Sequence, residues 1–220
     1  MPTPKTGYKN AAGKTVPGTT TVIGRFKESG ALIYWAYNRG KEGLELYESR
    51  DKAAELGTLV HGMVETLIRD GGIDRANIVA GLEEKDKGQV MSAFDAFLEW
   101  FEGNQFKIVS QEEQFVSEKY QFGGTPDAIA EDGKGRIVLL DWKTSDAVYS
   151  DHIIQLGAYR LGWNETHPEM QLTGGSHLCR FAKKFGDFTH HYFPDVSDGE
   201  RMFVLLREAY DLDKQLKKRC

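Results

Sequence analysis

Hydrophobic residues recur at helical spacing through most of the first half of the chain. The pattern predicts helices over residues 29–55 and 56–69, and the second should end at Gly71, because glycine readily takes the left-handed conformation that closes a helix. A further helix is expected over residues 87–102, before Gly103 interrupts the pattern. Helices therefore dominate this half of the molecule.

The second half begins with continuous and alternating apolar runs, which are typical of strands. Three strands are expected, over residues 106–116, 125–131 and 135–142, with a turn at Asp132-Gly133. The remaining elements are a helix that contains Gln155, a hairpin over residues 178–193, and a closing helix from Ser197 or Asp198 to residue 216. These elements predict an α/β (α+β) fold, in which helices flank a central mixed sheet.

The first 18 residues lack a periodic apolar pattern and are expected to form loop. Glycines occur there, but their spacing differs from that of a phosphate-binding loop and no apolar strand precedes them, so ATP binding is rejected. A chain of 220 residues can bury a core as a single domain, and residues 1–220 are expected to form one.

The composition is 40% hydrophobic and 28% charged, which is typical of a soluble globular protein. The chain has no apolar run long enough to cross a bilayer, and its first residues lack the apolar region of a signal peptide. A cytoplasmic protein without a membrane partner is the expectation.

Cysteine and histidine usage restricts the cofactors that the chain can hold. Cys179 and Cys220 are the only cysteines, so the chain alone builds neither a disulfide framework nor a four-cysteine iron–sulfur cluster. No histidine outside residue 61 has the spacing to cysteine or histidine that a zinc site requires, so zinc is not expected.

The formal net charge of −5 argues mildly against non-specific DNA binding, because affinity for the phosphate backbone comes largely from lysine and arginine. A local basic track remains open. The candidates for DNA contact are Arg180, Lys183 and Lys184, and other basic clusters are Arg39 with Lys41 and the group Lys214, Lys217, Lys218 and Arg219. Each cluster has the alternative interpretation of an ordinary solvated face.

Candidate chemistry concentrates at the end of the strand that contains Asp141. Side chains two residues apart on a strand share a face, so Asp141 and Lys143 project together while Trp142 points to the other side. Asp127 opens the preceding apolar run, and a hairpin could bring the two aspartates side by side. The alternative is that Asp141 and Lys143 form a strand-end ion pair and that Asp127 is a turn residue.

Paired carboxylates favour a hard cation. Mg²⁺ and Mn²⁺ prefer oxygen ligands, and Mg²⁺ often takes only one or two carboxylates from the protein while it keeps several waters. A nearby ammonium such as that of Lys143 can orient water or stabilise a negatively charged transition state. The pattern therefore points to metal-assisted phosphodiester hydrolysis.

The wider pattern resembles the PD-(D/E)XK nuclease superfamily, and within it the RecB-like branch that includes many phage exonucleases. Pro126-Asp127 and Asp141-Trp142-Lys143 match the signature itself. Gln155 and Tyr159, one helical turn apart, match the Q-x-x-x-Y helix of the branch. Gly57, His61 and Glu65 match its G-x-x-x-H-x-x-x-E helix. The motifs span residues 57–159, within an expected catalytic core of about 57–165.

The resemblance implies a restriction-endonuclease-like core and a role for each matching residue. Asp127, Asp141, Lys143, Gln155 and Tyr159 would be catalytic, and His61, Asp127, Asp141 and the backbone carbonyl of Trp142 would hold Mg²⁺ or Mn²⁺. Glu65, and Glu112 or Glu113, are candidates for an additional acid near the metal. Aspartate replaces the commoner glutamate at position 141, which shortens the reach to the metal.

The same resemblance implies an exonuclease that processes linear DNA ends in phage-type recombination, repair or replication, in a bacterial or phage-infected cell. Its DNA substrate could be double- or single-stranded, and a single-strand annealing or binding protein is the implied partner. The alternatives are a structure-selective or restriction-type endonuclease and a nuclease-derived module that binds DNA or protein without cutting.

Overall fold

The chain folds into helices around a five-stranded sheet, with two small two-stranded sheets beside it. The computed structural model describes residues 7–27, 30–43, 46–145, 147–181 and 188–219. The elements in chain order are β1 Tyr8–Lys9, β2 Thr15–Val16, α1 Thr19–Arg25, α2 Gly30–Lys41, α3 Leu46–Asp70, α4 Arg75–Ile78, α5 Glu84–Gly103, β3 Lys107–Gln111, β4 Phe115–Ser117, β5 Phe122–Gly124, β6 Ala128–Glu131, β7 Ile137–Lys143, α6 Ser150–Thr166, β8 Ser176–Phe181, β9 Phe188–Phe193 and α7 Ser197–Lys217.

The central sheet has the strand order β3-β6-β7-β8-β9. Neighbouring strands are antiparallel except β7 and β8, which are parallel. A parallel pair needs a long crossover connection, and α6 supplies it between these two strands. The predicted mixed sheet flanked by helices is confirmed. Among the described residues, no helix combines the length and apolar character that a bilayer-spanning helix needs.

Two hydrophobic clusters fill the two faces of the sheet, and strand β7 contributes to both. Val138, Leu140 and Trp142 pack into one cluster with residues of α3 and α5. Leu139 packs into the other, with residues of α1, α6 and α7. Because side chains alternate along a strand, Asp141 continues the row of Leu139 and lies on the α6 side of the sheet.

Aromatic rings anchor the end of β7 from the opposite side. The Trp142 ring is buried and meets the ring of Phe97 at 5.5 Å and that of Trp100 at 6.0 Å between centroids. Phe97 also meets Phe181 of β8 at 5.5 Å. Edge-to-face contacts of this kind each contribute about 0.5–1.5 kcal/mol beyond area burial. These aromatic contacts therefore fix the end of β7 on the side of the sheet that faces α5.

Part of the segment 1–18, which was expected to form loop, is strand. Residues 8–9 and 15–16 form the antiparallel hairpin β1–β2. The hairpin docks on β5, where the Gly123 N–H donates to the Pro17 carbonyl at 3.0 Å. A Cβ at Gly123 would lie 2.2 Å from Cγ of Tyr8, so glycine is required for this close approach. The Lys14 N–H donates to Asn10 Oδ1 at 2.8 Å within the turn, so local turn residues and tertiary packing together specify the hairpin.

The strand expected over residues 106–116 is split into β3 and β4, which belong to different sheets. The break falls at Glu112, whose φ of 54° lies in the left-handed region. That conformation is uncommon for a residue with a Cβ and ends the extended run. The predicted turn near Asp132 is present, since the Asp132 carboxylate accepts hydrogen bonds from the N–H groups of Lys134 and Arg136, both at 2.9 Å.

Helix boundaries also differ from the predicted ones. The break lies after α2, where Gly43 has a φ of 70°, and α3 then runs without interruption through residues 55 and 56. It ends at Asp70 before Gly71, as predicted. Helix α7 begins at Ser197, but Asp195 provides the capping carboxylate, which accepts from the Ser197 N–H at 3.2 Å. The Gly186-Asp187 turn of the predicted final hairpin lies outside the described residues.

Helices α6 and α7 cross at a pair of glycines. A Cβ at Gly157 would lie 2.3 Å from the Glu200 nitrogen and 2.4 Å from the Gly199 carbonyl carbon. A Cβ at Gly199 would lie 2.5 Å from the Ile153 oxygen. The obstructing atoms are backbone, so the two helices touch at a distance that only glycine permits.

We predict that Gly157→Ala destabilises the protein by forcing α6 and α7 apart. The free energy of unfolding should fall by about 1–3 kcal/mol, as overpacking commonly causes, with a loss of roughly 2–4 °C in melting temperature per kcal/mol. The matched control is Gly88→Ala in α5, where a Cβ would meet nothing within 4 Å. The control should be neutral or slightly stabilising. Equal melting temperatures for the two variants would contradict the glycine crossing.

Candidate active site

The β6–β7 hairpin places Asp127 opposite Asp141. Ala128 pairs with Leu140 in this antiparallel ladder, so the next position in register brings the two aspartates together on one face. Both are buried, with exposures of 3% and 1%. The Trp142 backbone N–H donates to Asp127 Oδ2 at 2.8 Å, which fixes the orientation of that carboxylate.

The Lys143 ammonium lies 2.5 Å from Asp141 Oδ2. Burial alone would lower the pKa of Lys143, but the charges of Asp141 and Asp127 outweigh it and raise that pKa. The pKa of Asp141 is raised, chiefly by burial and further by the charge of Asp127, against the opposing effect of Lys143. Lys143 is therefore protonated beside the two carboxylates at neutral pH.

Helix α3 brings His61 to the same place from the other side of the sheet. Its Nδ1 lies 3.5 Å from Asp127 Oδ1. Burial opposes ionisation of Asp127, but attraction to the neighbouring His61 imidazole, with help from Lys143, holds the pKa of Asp127 below its usual range. Glu65 lies one turn further along α3, where its carboxylate pairs with Arg69 at 3.2 Å.

Gln155 and Tyr159 face the aspartates from α6. Gln155 Nε2 donates to the Tyr159 hydroxyl at 2.7 Å, and both side chains are buried. Burial and the charges of Asp141 and Asp127 raise the pKa of Tyr159 well above its ordinary value. The hydroxyl therefore stays protonated and keeps a proton to donate.

Glu112 is an acid whose importance the sequence indicates only weakly. Burial raises its pKa to about 9, and the charges of Asp127, Glu65 and Asp141 act in the same direction. Its backbone N–H donates to the Asp127 carbonyl at 3.2 Å. Backbone conformations as unusual as that of Glu112 concentrate at functional sites. The only signal available in the sequence was its place within the strand expected over residues 106–116, beside a second glutamate.

Glu113 contacts other residues than the site aspartates. Its carboxylate accepts a hydrogen bond from the Ser110 hydroxyl and lies 3.3 Å from His167 Nε2. Of the two glutamates considered from the sequence, Glu112 and not Glu113 interacts electrostatically with Asp127 and Asp141.

Sequence reasoning missed a group of residues at the start of α6. His152 Nδ1 accepts from the Tyr149 N–H at 3.3 Å. Burial first and the Lys143 charge second lower the pKa of His152 to about 4, so the imidazole is neutral at neutral pH. Lys27 pairs with Asp151 at 2.5 Å and lies over the half-exposed Tyr149 ring at 5.7 Å. These side chains border Lys143, although no motif marks them.

The residues considered for DNA contact are only partly described. Arg180 pairs with Lys143 in the β7–β8 register, so the two cations share a face of the sheet. Its side chain is buried and its Nε donates to the Thr189 hydroxyl at 3.2 Å. Lys183 and Lys184 lie outside the described residues.

The arrangement fits a hard divalent cation. Among the described residues, the buried His61 Nδ1 has no hydrogen-bond partner, and its charged neighbour Asp127 Oδ1 is 3.5 Å away. Buried polar atoms without such a partner are rare and often mark an ion or ligand site. Within the described ranges, no three His, Cys, Asp or Glu side chains already form a metal-ligand group. Two carboxylates and water are nevertheless a common protein environment for Mg²⁺.

We predict a pH dependence of stability that comes from Glu112. Its pKa is about 9 in the folded chain against 4.5 ordinarily, so it favours folding in acid and this contribution is lost as pH rises between these values. Glu112→Gln keeps the neutral form at every pH. In the presence of a chelator, its melting temperature should exceed that of wild type by a margin that grows from about pH 5 to pH 9.

The control for this experiment is Glu99→Gln, which changes an exposed glutamate of α5. It should follow the wild-type curve at every pH. Parallel curves for wild type and Glu112→Gln would show that Glu112 ionises normally in the folded protein.

Several solved structures match this chain at low sequence identity. An alkaline exonuclease from Laribacter hongkongensis matches over 57% of this chain and 71% of its own, at 11% identity and a TM-score of 0.36. A candidate exonuclease from Eubacterium rectale matches over 70% and 68%, at 14% identity and a TM-score of 0.42. The protein SSO0001 matches over 69% and 82%, at 17% identity and a TM-score of 0.36. These likenesses carry no argument about activity, and no curated protein matches the sequence.

The sequence itself gives a stronger result. A family model that describes the PD-(D/E)XK nuclease superfamily matches residues 26–217, which is most of the chain. The matched region contains the hairpin with both aspartates, the lysine and the two helices that face them. The chain belongs to the PD-(D/E)XK nuclease superfamily.

Proposed function

We propose that the protein is a divalent-metal-dependent deoxyribonuclease that hydrolyses phosphodiester bonds at this site. The observation that carries the proposal is the meeting of Asp127, Asp141 and Lys143 at one strand end, with His61 beside them. A structural ion pair would account for Asp141 and Lys143 alone. It does not account for a second buried carboxylate or for the mostly buried His61 imidazole that lies beside it.

The proposed ligands are Asp127, Asp141, His61 and the Trp142 carbonyl, with Mg²⁺ or Mn²⁺ as the cation. When bound, such a cation supplies Lewis-acid chemistry, which neutralises charge developing on a phosphodiester and makes water a better nucleophile at neutral pH. Asp127 has one oxygen engaged by the Trp142 N–H, so Oδ1 is the oxygen that remains for a ligand role.

The remaining residues of the site act on the substrate. Lys143 holds a permanent positive charge beside Asp141, where it can stabilise the negative charge of the reacting phosphate. Tyr159 keeps its proton and can donate it in a hydrogen bond to a phosphate oxygen. Gln155 holds the Tyr159 hydroxyl in place. Glu65 and Glu112 add acid character at the edge of the site.

The mode of cutting is proposed from the motifs of the RecB-like branch. Gln155 with Tyr159, and Gly57 with His61 and Glu65, favour an exonuclease that acts on linear DNA ends in phage-type recombination, repair or replication. A single-strand annealing or binding protein would be its partner in that role. Closed circular DNA distinguishes the two modes, because it has no end for an exonuclease but an endonuclease can cut it.

We predict that Asp127→Asn, Asp141→Asn and Lys143→Met each slow the digestion of end-labelled linear DNA at least about 100-fold, because each removes charge from the place where the phosphate reacts. Digestion is measured with Mg²⁺ or Mn²⁺, beside a closed circular substrate of the same sequence. Asp95→Asn and Lys134→Met change exposed residues of the same types and should cut at the wild-type rate.

Folding of each variant is checked by circular dichroism and by thermal unfolding in the presence of a chelator. A folded variant that no longer cuts supports the proposal. Wild-type rates in all three variants would refute it, and loss of cutting together with loss of folding would favour the structural ion pair.

We predict that His61→Ala raises the Mn²⁺ concentration required for half-maximal cutting at least about 10-fold, because it removes a nitrogen ligand. A second readout does not depend on activity. Mn²⁺ should raise the melting temperature of wild type more than that of His61→Ala. His167→Ala, which lies beside Glu113, is the control. Failure of His61→Ala to fold would indicate instead that His61 acts by packing in the core.

A further inference from the structure

Three polar side chains of α6 lie on one line of the helix, because they are spaced three and four residues apart. They are His152, Gln155 and Tyr159. Gln155 holds the Tyr159 hydroxyl, and the charges of Asp141 and Asp127 act on that hydroxyl, so this line of the helix faces the site. His152 is the next position on the same line toward the start of α6.

The direction of α6 brings His152 to Lys143. Helix α6 connects β7 to β8, and because these strands are parallel, the helix runs back against the direction of β7. Its first turn therefore lies at the strand end that carries Lys143. Burial first and the Lys143 charge second lower the pKa of His152, which agrees with this placement. The imidazole is half-buried, so part of the ring remains open to a substrate.

One hydrogen bond determines which ring nitrogen of His152 carries the proton. The Tyr149 backbone N–H donates to Nδ1 at 3.3 Å, so Nδ1 is the unprotonated nitrogen of the neutral ring. The proton is then on Nε2. Among the described residues, no group accepts a hydrogen bond from Nε2. The ring therefore keeps a donor for another partner.

We propose that His152 Nε2 donates a hydrogen bond to a non-bridging oxygen of the DNA phosphate that Lys143 contacts. This role rests on the proposed nuclease function and adds a neutral donor to it. Phosphate oxygens accept such bonds from side chains, and these bonds set the position of the nucleic acid on the protein. A neutral donor can lie beside the Lys143 ammonium without the repulsion that a second cation would bring.

His152 also has a structural role as a helix cap. Its Nδ1 accepts from the Tyr149 N–H at the start of α6, and the residue occupies the position that glutamate or glutamine takes in a capping box. Loss of the cap would lower stability whatever Nε2 does. Because the two roles use different nitrogens, substitutions can remove them separately.

Three substitutions of His152 separate the cap from the donor. His152→Gln keeps a cap acceptor and a neutral donor, His152→Glu keeps the acceptor alone, and His152→Leu keeps neither. The dissociation constant for a linear duplex oligonucleotide is measured with a chelator present, so that binding is observed without cutting. We expect roughly 10-fold weaker binding for His152→Leu, a larger loss for His152→Glu, and affinity within about 3-fold of wild type for His152→Gln. The melting temperature should fall for His152→Leu alone, because the other two variants keep the cap.

The control is His190→Leu, which changes an exposed histidine beside Trp100 on the α5 side of the sheet. It should bind DNA as wild type does. Wild-type affinity in His152→Leu overturns the proposal. An affinity that follows the melting temperature, so that His152→Glu binds as well as wild type, also overturns it and leaves His152 as a helix cap. A higher Mn²⁺ requirement for cutting in His152→Leu, with unchanged DNA affinity, would assign the imidazole to the metal instead.

The salt dependence of binding tests whether the contact is neutral. His152→Leu should leave the slope of log affinity against log salt concentration unchanged at neutral pH, whereas Lys143→Met should reduce it by about 1. A reduction of about 1 in His152→Leu would overturn the neutral donor. Failure of the proposed nuclease function gives a different result, namely a wild type that binds DNA and does not cut it with Mg²⁺ or Mn²⁺. A wild type that does not bind DNA overturns both proposals.

Discussion

The hydrogen bond from the Trp142 backbone N–H to Asp127 Oδ2 is the contact on which the site depends. It joins the end of β7 to the residue that precedes β6, and it holds two buried carboxylates opposite each other. Two neighbouring carboxylates repel each other, and removing each of them from water costs several kcal/mol of folding free energy. Lys143 and His61 offset that cost, since each places a nitrogen close to one of the aspartates.

Each layer of the fold contributes different residues to the site. The sheet provides both aspartates and the lysine, α3 provides His61 from one side, and α6 provides Gln155 and Tyr159 from the other. The strand between them is fixed because Trp142 packs against the aromatic rings beneath it. The close crossing at Gly157 and Gly199 holds α6 against α7. Rigid elements, and not loops, therefore carry most of the chemistry.

The local sequence pattern was sufficient to predict which residues meet at the centre of the site. Alternation predicts that Asp141 and Lys143 share a face, the turn at Asp132 predicts the hairpin, and a spacing of four places Gln155 beside Tyr159. Long-range contacts decide the rest. The β1–β2 hairpin is held by packing of Tyr8 on Gly123, more than a hundred residues away, and the local sequence does not indicate this contact.

Glu112 shows the same limit at a single residue. Its position in the sequence is that of an ordinary acidic strand end, and Glu113 beside it has the same chemistry. The left-handed backbone at Glu112 turns it toward Asp127, while Glu113 meets Ser110 and His167. Which glutamate borders the site depends on one backbone torsion, and the residue types alone do not determine it.

Site residues and core residues alternate along strand β7, and this alternation affects how mutational scans of such a protein are interpreted. Residues 140 and 142 enter the aromatic core, while residues 141 and 143 form the site, so Asp141 has a core residue on each side and Lys143 has one before it. Substitutions at Phe97 or Trp100 would move the strand end and lower activity without touching DNA. Positions that merely support the sheet would then be scored as catalytic, unless abundance of folded protein is measured alongside activity.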